Sequence, residues 1–399
     1  MRRSLHAALL LVLAVSPTEP AFARSRLIVE RAVLVIRHGI RAPLLGEVPE
    51  ATRTAAPWPR WSVPDGQITP HGAKMLEIVA AADRRFLAMR GLLPATGCPV
   101  AGTVRITTNS VDRTIASGEA YARGFAPGCG LAVDHRDPGV TDPLFEPLAG
   151  RPSSFDAGAA IADINHTTGG MPTLVRRHRR ALALLDRVLA CGGDCLATGP
   201  ADISADPDGH GIVLKGPIRS SSGIAQILLL QYLEGMPTAS VGWGRAGAAM
   251  LRRLGTLHAA LFAVFTRPPY MAAYQAAGLG KRVLSSLAHG PRLDVLVGHD
   301  TNVTALAAVL GIDLIAPGYA VNDIPPGGGL LFERLRDPRT RRTFVRISYR
   351  TQSPVMLRTT GRAFTLTAVR IPACGTLCST RRFALILRRH TAQAMHVTR

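Results

Sequence analysis

Beyond its N-terminal segment the sequence shows no second long apolar run and no stop-transfer pattern, so no membrane association is expected once that segment is removed. No internal repeat or long low-complexity tract is present, which excludes solenoid and propeller organisation. Acidic residues are scarce: 27 Asp and Glu stand against 47 Lys and Arg, a formal net charge of +20. No RNP-like or zinc-finger motif accompanies that excess, which is spread along the chain with clusters at Arg177–Arg180 and near the C-terminus. It reads as a solvated basic surface, with no nucleic-acid partner, that would attract phosphorylated substrates at low ionic strength. Neither C-x-x-x-C pair has a histidine at zinc-finger spacing, so no metal site is expected.

What is present begins with a leader. Arg2 and Arg3 form a short basic region, Ala7 to Val15 an apolar stretch too short to span a bilayer, and Ala21-Phe22-Ala23 an A-x-A cleavage site. Residues 1–23 are therefore expected to be a signal peptide, and the destination periplasmic or secreted. Six cysteines agree with export. Several connectivities are open; the economical one is Cys98–Cys129, Cys191–Cys195 and Cys374–Cys378, with metal binding by the close pairs as the rival. The 399 residues suffice for about two domains.

Glu30 to Ile36 is a β-branched apolar run and reads as a buried strand leading into Arg37-His38-Gly39-Ile40-Arg41-Ala42-Pro43. Thr69-Pro70 reads as an N-cap and first helical position, followed by Leu76, Val79, Ala82, Phe86 and Met89 at helical spacing. Thr103 to Thr107 reads as a strand, and Asn109 or Ser110 as the cap of a helix containing Arg113, Ile115 and Tyr121. Residues 134–255 carry helical stretches such as Pro172–Ala190 and Gly223–Glu234 between Gly/Asp/Pro-rich loops. Strand character returns at Arg292 to Gly298, leading into His299-Asp300 and a helix at Val303–Leu310. The expected fold is α/β: a largely parallel sheet flanked by helices, formed by residues 24–133 and 256–399, with a mostly helical insertion at 134–255.

Charged groups sit at three strand-to-helix junctions: Arg37, His38 and Arg41; Arg113; and His299 with Asp300. In open α/β sheets ligands bind beyond the carboxyl ends of the strands, so these junctions can converge on one crevice. Arginines and a histidine can surround an anion, a second histidine can attack it, and an aspartic acid can protonate a leaving oxygen. Attack needs a neutral imidazole, and surrounding arginines favour one; the acid role needs a protonated Asp300, which a nearby phosphate dianion would favour. His71 and His258 lie in helical patterns and read as structural, and Trp243 reads as packing between domains.

Arg-His-Gly-x-Arg-x-Pro at 37–43 with His299-Asp300 downstream resembles the histidine acid phosphatases, a branch of the histidine phosphatase superfamily. The similarity continues through Thr108 to Thr114, Asp142-Pro143-Leu144-Phe145, Gly242-Trp243-Gly244 and Pro325 to Gly328, nearly the whole chain after the leader. Bacterial periplasmic phytases and glucose-1-phosphatases are the nearest look-alikes. The resemblance implies a phosphoglycerate-mutase-like core, His38 as nucleophile through a phosphohistidine, and Asp300 as general acid. It implies Arg37, Arg41, Arg113 and His299 as phosphoryl contacts, with no cofactor and no metal. Ser222 and Arg267 would be further substrate contacts, with Gly223 nearby and Gln226 standing where relatives carry an acid. The implied partner is a small phosphorylated substrate acting on a monomer.

Leu44 and Leu45 replace the polar residue and lysine that phytases of this branch tend to carry, which suits a sugar phosphate better than a highly charged inositol polyphosphate. Thr168-Gly169-Gly170 points back towards the phytases. The expectation is a broad exported acid phosphatase that includes phytate among its substrates, with a glucose-1-phosphatase-like enzyme as the alternative. A phosphomutase and a non-catalytic anion-binding homologue are the more distant readings.

Overall fold

A computed structural model describes residues 27–196 and 198–395. The expected leader, residues 1–23, lies outside them. The first half of the chain runs β1 (Ile28–Arg37), α1 (Pro70–Met89), β2 (Val104–Thr108), α2 (Asp112–Phe125), β3 (Val133–Asp134), α3 (Ala157–Thr168) and α4 (Met171–Leu189). There follow β4 (Asp202–Ala205), β5 (Ile212–Lys215), α5 (Pro217–Leu233), a kinked 3₁₀ segment (Thr238–Gly244), α6 (Ala248–Phe265) and α7 (Pro269–His289). The chain closes with β6 (Leu293–Gly298), α8 (Asp300–Val309), β7 (Gly329–Arg336), β8 (Thr343–Thr351), α9 (Pro354–Arg358), β9 (Thr365–Ala368), β10 (Cys378–Ser379) and α10 (Thr380–Met395).

The main sheet has the order β10-β8-β7-β1-β6-β2-β3, with β9 beside β8. From β1 through β6 and β2 to β3 the pairs are parallel, and on the other side of β1 they are antiparallel. The parallel half carries the three motif junctions, because helical crossovers return each strand in the same direction with its carboxyl end on one edge. Alternation along β1 explains why the sheet is covered on both faces: Val33 and Val35 enter one apolar cluster, while Ala32, Leu34 and Ile36 enter another. The first cluster runs on through Leu184, Leu228 and Leu254 of the insertion, so core and insertion share one interior. The boundary expected at 255/256 falls inside α6, and the insertion also holds the β4–β5 hairpin.

Other local expectations need adjustment. Thr69 does cap α1, its side chain accepting from Gly72 N–H. The residue capping α2 is Val111, without a side-chain bond, because Asn109 and Ser110 are engaged elsewhere. The helices expected at Gly223 and Val303 start earlier, at Pro217 and Asp300. α6 is an apolar run that the sequence reading passed over: by length and composition it could cross a membrane, and 44% of it is buried here. Its apolar residues Leu251, Leu254, Leu257 and Phe262 pack inside the protein instead. The cysteines pair as Cys98–Cys129, Cys191–Cys195 and Cys374–Cys378.

α1 is pressed against the loop after β1. A Cβ on Gly72 would stand 2.3 Å from the Ile40 carbonyl oxygen, a backbone atom that cannot step aside. Gly72→Ala is therefore expected to lower stability by about 1–3 kcal/mol, the usual cost of overpacking. An unchanged urea midpoint would show that the helix and loop are not held in this contact.

Candidate active site

Arg37 ends β1 and His38 follows it, with His38 N–H donating to the Gly298 carbonyl at the end of neighbouring β6. Gly327 N–H closes the turn by donating to the carbonyls of Arg37 and His38. Gly39 is required here, since a Cβ would lie 2.8 Å from Leu76 and 2.9 Å from Ile68. α2 holds the loop from the other side: Gly39 N–H donates to Ser117 Oγ at 3.0 Å, and Ser117 donates to the Arg113 carbonyl.

These constraints bring His38, Arg41, Arg113, Ser222, His299 and Asp300 to the lining of one cavity of about 500 Å³, while Arg37 is buried outside that lining. His38 is 3% exposed. Its Nδ1 lies 2.8 Å from the Gly39 carbonyl oxygen, which can only accept; this fixes the proton on Nδ1 and leaves the Nε2 lone pair free. The His299 ring lies edge-on, 5.7 Å between centroids. Its Nε2 faces Asn109 Nδ2 at 2.8 Å, and the Asn109 orientation is set because Oδ1 accepts from Ser110 N–H. His299 Nδ1 lies 3.5 Å from Arg113 Nη2.

The fully buried Arg37 binds Asp300 Oδ2 at 3.1 Å, the Ile324 carbonyl at 2.5 Å and Gln226 Oε1 at 3.2 Å. Arg41 forms a two-pronged pair with Glu47, at 2.8 and 2.9 Å. Glu47 also accepts from Leu44 N–H at 2.7 Å. Arg37, Arg41 and Arg113 nevertheless each keep a buried Nε with no hydrogen-bond partner. Buried donors without an acceptor are costly, so three such guanidinium groups near one imidazole mark an unusually cationic, under-satisfied neighbourhood.

Burial, reinforced by Arg113, Arg37, Arg41 and His299, holds His38 well below its ordinary value, so the imidazole is neutral at acidic pH. His299 is lowered to about 3 by burial and by Arg113, Arg37 and Arg41, against the opposing pull of Asp300. For Asp300 burial favours the neutral acid, but Arg37, then His258, His299 and Arg41 outweigh it and bring the group down to about 2. Its position in the first turn of α8 adds to this preference for the anion.

The sequence matches the histidine phosphatase superfamily (branch 2) over residues 28–147 and 266–350. The chain belongs to that superfamily. It is 32% identical to phytase AppA of Escherichia coli (strain K12) over 364 residues, 83% of this chain and 82% of that protein. It is 27% identical to the glucose-1-phosphatase of Salmonella typhimurium, covering 82% of each. Among solved structures, Hafnia alvei phytase in complex with tartrate superposes with a TM-score of 0.85 at 28% identity, covering 91% of this chain and 97% of that one. The chain is thus a histidine phosphatase, and phosphomonoester hydrolysis is its reaction class.

Two sequence expectations are corrected in this phosphatase. Arg267 does not line the cavity; it is tied to Asp313 at 2.7 Å, to Asn322 and to the Ile312 carbonyl, bracing the loop after α8. His258, read as structural, lines the cavity with Nε2 3.7 Å from Asp300. Asp300, expected to gain its proton beside a phosphate dianion, is held low by Arg37, His258, His299 and Arg41 in the protein alone. Ser222 does line the cavity, though its hydroxyl donates back to the Arg219 carbonyl. Glu47, Glu146 and Asn109 were passed over; nothing in their spacing marks them, since a turn and a cross-strand approach bring them in. Trp243 packs on Trp58 and donates to the Pro57 carbonyl, away from the cavity.

The lowered histidines make a pH prediction. A catalytic imidazole at its ordinary value would lose kcat/KM below 6.5; here the acid-side loss should come near 3, where His299 protonates. Stability has the same sign, because the unfolded chain takes up protons between 6.5 and about 3 while the folded histidine does not, so unfolding becomes easier as pH falls through that window. An acid limb centred at 6.5 in the rate profile would show exposed, ordinary histidines.

Proposed function

We propose that this chain is an exported acid phosphatase of broad specificity, working through a phosphohistidine at His38. The observation that carries the reading is His38 itself: an imidazole neutral at acid pH, its Nε2 free, set among three arginines with unpaired buried N–H groups. Nε2 attacks phosphorus while Arg37, Arg41, Arg113 and His299 hold the non-bridging oxygens, whose charge in the transition state the guanidinium groups stabilise. Asp300 delivers a proton to the departing oxygen, then takes one from the water that hydrolyses the phosphohistidine. A single chain supplies every group named, in keeping with a monomer and a small phosphorylated substrate. The leader read at residues 1–23, which lies outside the described residues, and three disulfides support export to an oxidising compartment.

The cavity supports substrates that carry little charge beyond the scissile phosphate. Leu44, Leu45, Leu148 and Leu261 line it together with the carboxylates Glu47 and Glu146 and a single outlying cation, Arg219. Additional phosphates would meet apolar side chains and carboxylates with only Arg219 to offset them, so sugar phosphates and simple esters should be at least as good substrates as phytate.

Phosphate release from phytate, glucose 1-phosphate and phenyl phosphate tests the reading. All three should be hydrolysed by the parent protein and none by His38→Ala; normal turnover by that variant, or transfer of the phosphoryl group to a second sugar without phosphate release, would overturn it. Asp300→Asn should slow alkyl phosphates far more than p-nitrophenyl phosphate, whose leaving group needs little protonation. Glu47→Gln should raise the phytate rate relative to phenyl phosphate about tenfold, as expected for removing one like charge at close range. An unchanged ratio would remove Glu47 as the source of charge selection.

A further inference from the structure

Asp300 poses a problem for an acid catalyst: Arg37 holds it as an anion, yet a poor leaving group needs a proton from it. The insertion offers a source. His258, buried on α6, has Nδ1 3.0 Å from Asp323 Oδ1 and Nε2 3.7 Å from Asp300 Oδ2. The three side chains form a line of carboxylate, imidazole and carboxylate that ends at the cavity. The fold is shaped to allow it. A Cβ at Gly255, one turn before His258 on α6, would stand 2.3 Å from Asp323 Oδ2, so only glycine lets the helix settle on that carboxylate. Asp323 is 2% exposed, and among the described residues no other side chain hydrogen-bonds to it.

A buried carboxylate with one side-chain partner is best served by a donor that carries charge, which places a proton on Nδ1 and directs Nε2 towards Asp300. Other groups face this line as well: Arg37 on the same Asp300 oxygen, His299 and Arg41 near Asp300, the buried Tyr319 and Tyr349 near Asp323, and Glu47, whose carboxyl His258 helps to hold down after Arg41 and the Leu44 N–H. Phe262 closes the remaining side edge-on, with ring centroids 4.8 Å apart.

We infer that His258 stores the leaving-group proton and passes it through Asp300. As the bond from phosphorus to the ester oxygen breaks, its electron pair stays on that oxygen; the Asp300 carboxylate takes the Nε2 proton of His258 and hands it to that oxygen, ending as a carboxylate again. Nδ1–H stays on Asp323 throughout. In the second half-reaction water attacks the phosphohistidine, the bond to nitrogen breaks and its pair returns to His38 Nε2. Asp300 takes the water proton and returns it to His258. Ester and water go in; alcohol and phosphate come out. The 3.7 Å separation is longer than a hydrogen bond and shortens in the working complex, as catalytic contacts do. His258 is on this account a positioning and proton-supplying residue acting through Asp300.

The inference rests on Asp300 as general acid, and the test separates the two. In the full-length enzyme, kcat is measured on an alkyl phosphate and on p-nitrophenyl phosphate for the parent, His258→Gln, Asp323→Asn and Asp300→Asn. Replacing His258 by glutamine should cost about tenfold or more on the alkyl ester, and at most a few-fold on the aryl ester. Asp323→Asn should lower the alkyl rate relative to the aryl rate in the same direction by less. A fraction of misfolded protein lowers both substrates alike and leaves their ratio untouched. Equal losses on the two esters, or parent-like alkyl turnover in both His258→Gln and Asp323→Asn, would overturn the relay while leaving the phosphatase intact. A missing leaving-group split in Asp300→Asn would instead strike the acid assignment itself.

Discussion

Arg37 is the residue on which the site depends. It ends the central strand, is 1% exposed, and would be intolerable there without partners, because a buried, unpaired guanidinium costs several kcal/mol. Its partners come from three separate places: the Ile324 carbonyl before the Pro325–Gly328 turn, Gln226 on α5, and Asp300 at the start of α8. Satisfying one cation therefore fixes where an insertion helix, a core helix and a loop meet. His38, the next residue, inherits a surrounding already determined by that requirement. A fully buried cation is thus what brings Asp300 beside His38.

The same charge has a chemical cost. Burial, reinforced by the arginines, keeps two histidines neutral, while the same arginines hold Asp300 ionised, so on the proposed mechanism one field helps the nucleophile and hinders the acid. A bound phosphate dianion would reverse part of that field, drawing the guanidinium groups to its own oxygens and raising the affinity of Asp300 for a proton. Acid chemistry on that mechanism is therefore favoured by the substrate itself.

Much of the site was legible in the sequence because strand ends are legible. Two apolar runs led directly into charged groups, Arg113 lay in the first turn of the helix after a third strand, and parallel strands with helical crossovers present such ends on one edge. Arg37, His38, Arg41, Arg113, His299 and Asp300 were singled out on that rule and on the family resemblance. What was not legible arrives by tertiary approach. Glu47 reaches Arg41 through the turn Leu44–Glu47, and Asn109 turns from capping a helix to orienting a histidine at the end of the neighbouring strand. His258 resembled any polar residue in an apolar helix, and Arg267 looked like a free cation until Asp313 was seen to hold it. The boundary at 255/256 failed for a related reason: α6 belongs to insertion and core at once, and no change in composition marks a helix that serves both.

That double membership has a consequence for how such an enzyme diversifies. His38, His299 and Asp300 enter the cavity from strand ends of the sheet, whose geometry leaves little freedom. The rest of the lining comes from elsewhere: Leu44, Leu45 and Glu47 from the first loop, Ser222 and Gly223 from α5, His258 and Leu261 from α6. Side chains there that touch none of the arginines can change without disturbing the field around His38; Glu47, paired with Arg41, cannot. Gly223 shows the limit of that freedom, since a Cβ would lie 2.3 Å from the Glu47 carbonyl oxygen. The insertion can vary its side chains, but its helix must stay close enough to the motif loop to bring His258 and Gln226 to the pair that Arg37 makes with Asp300.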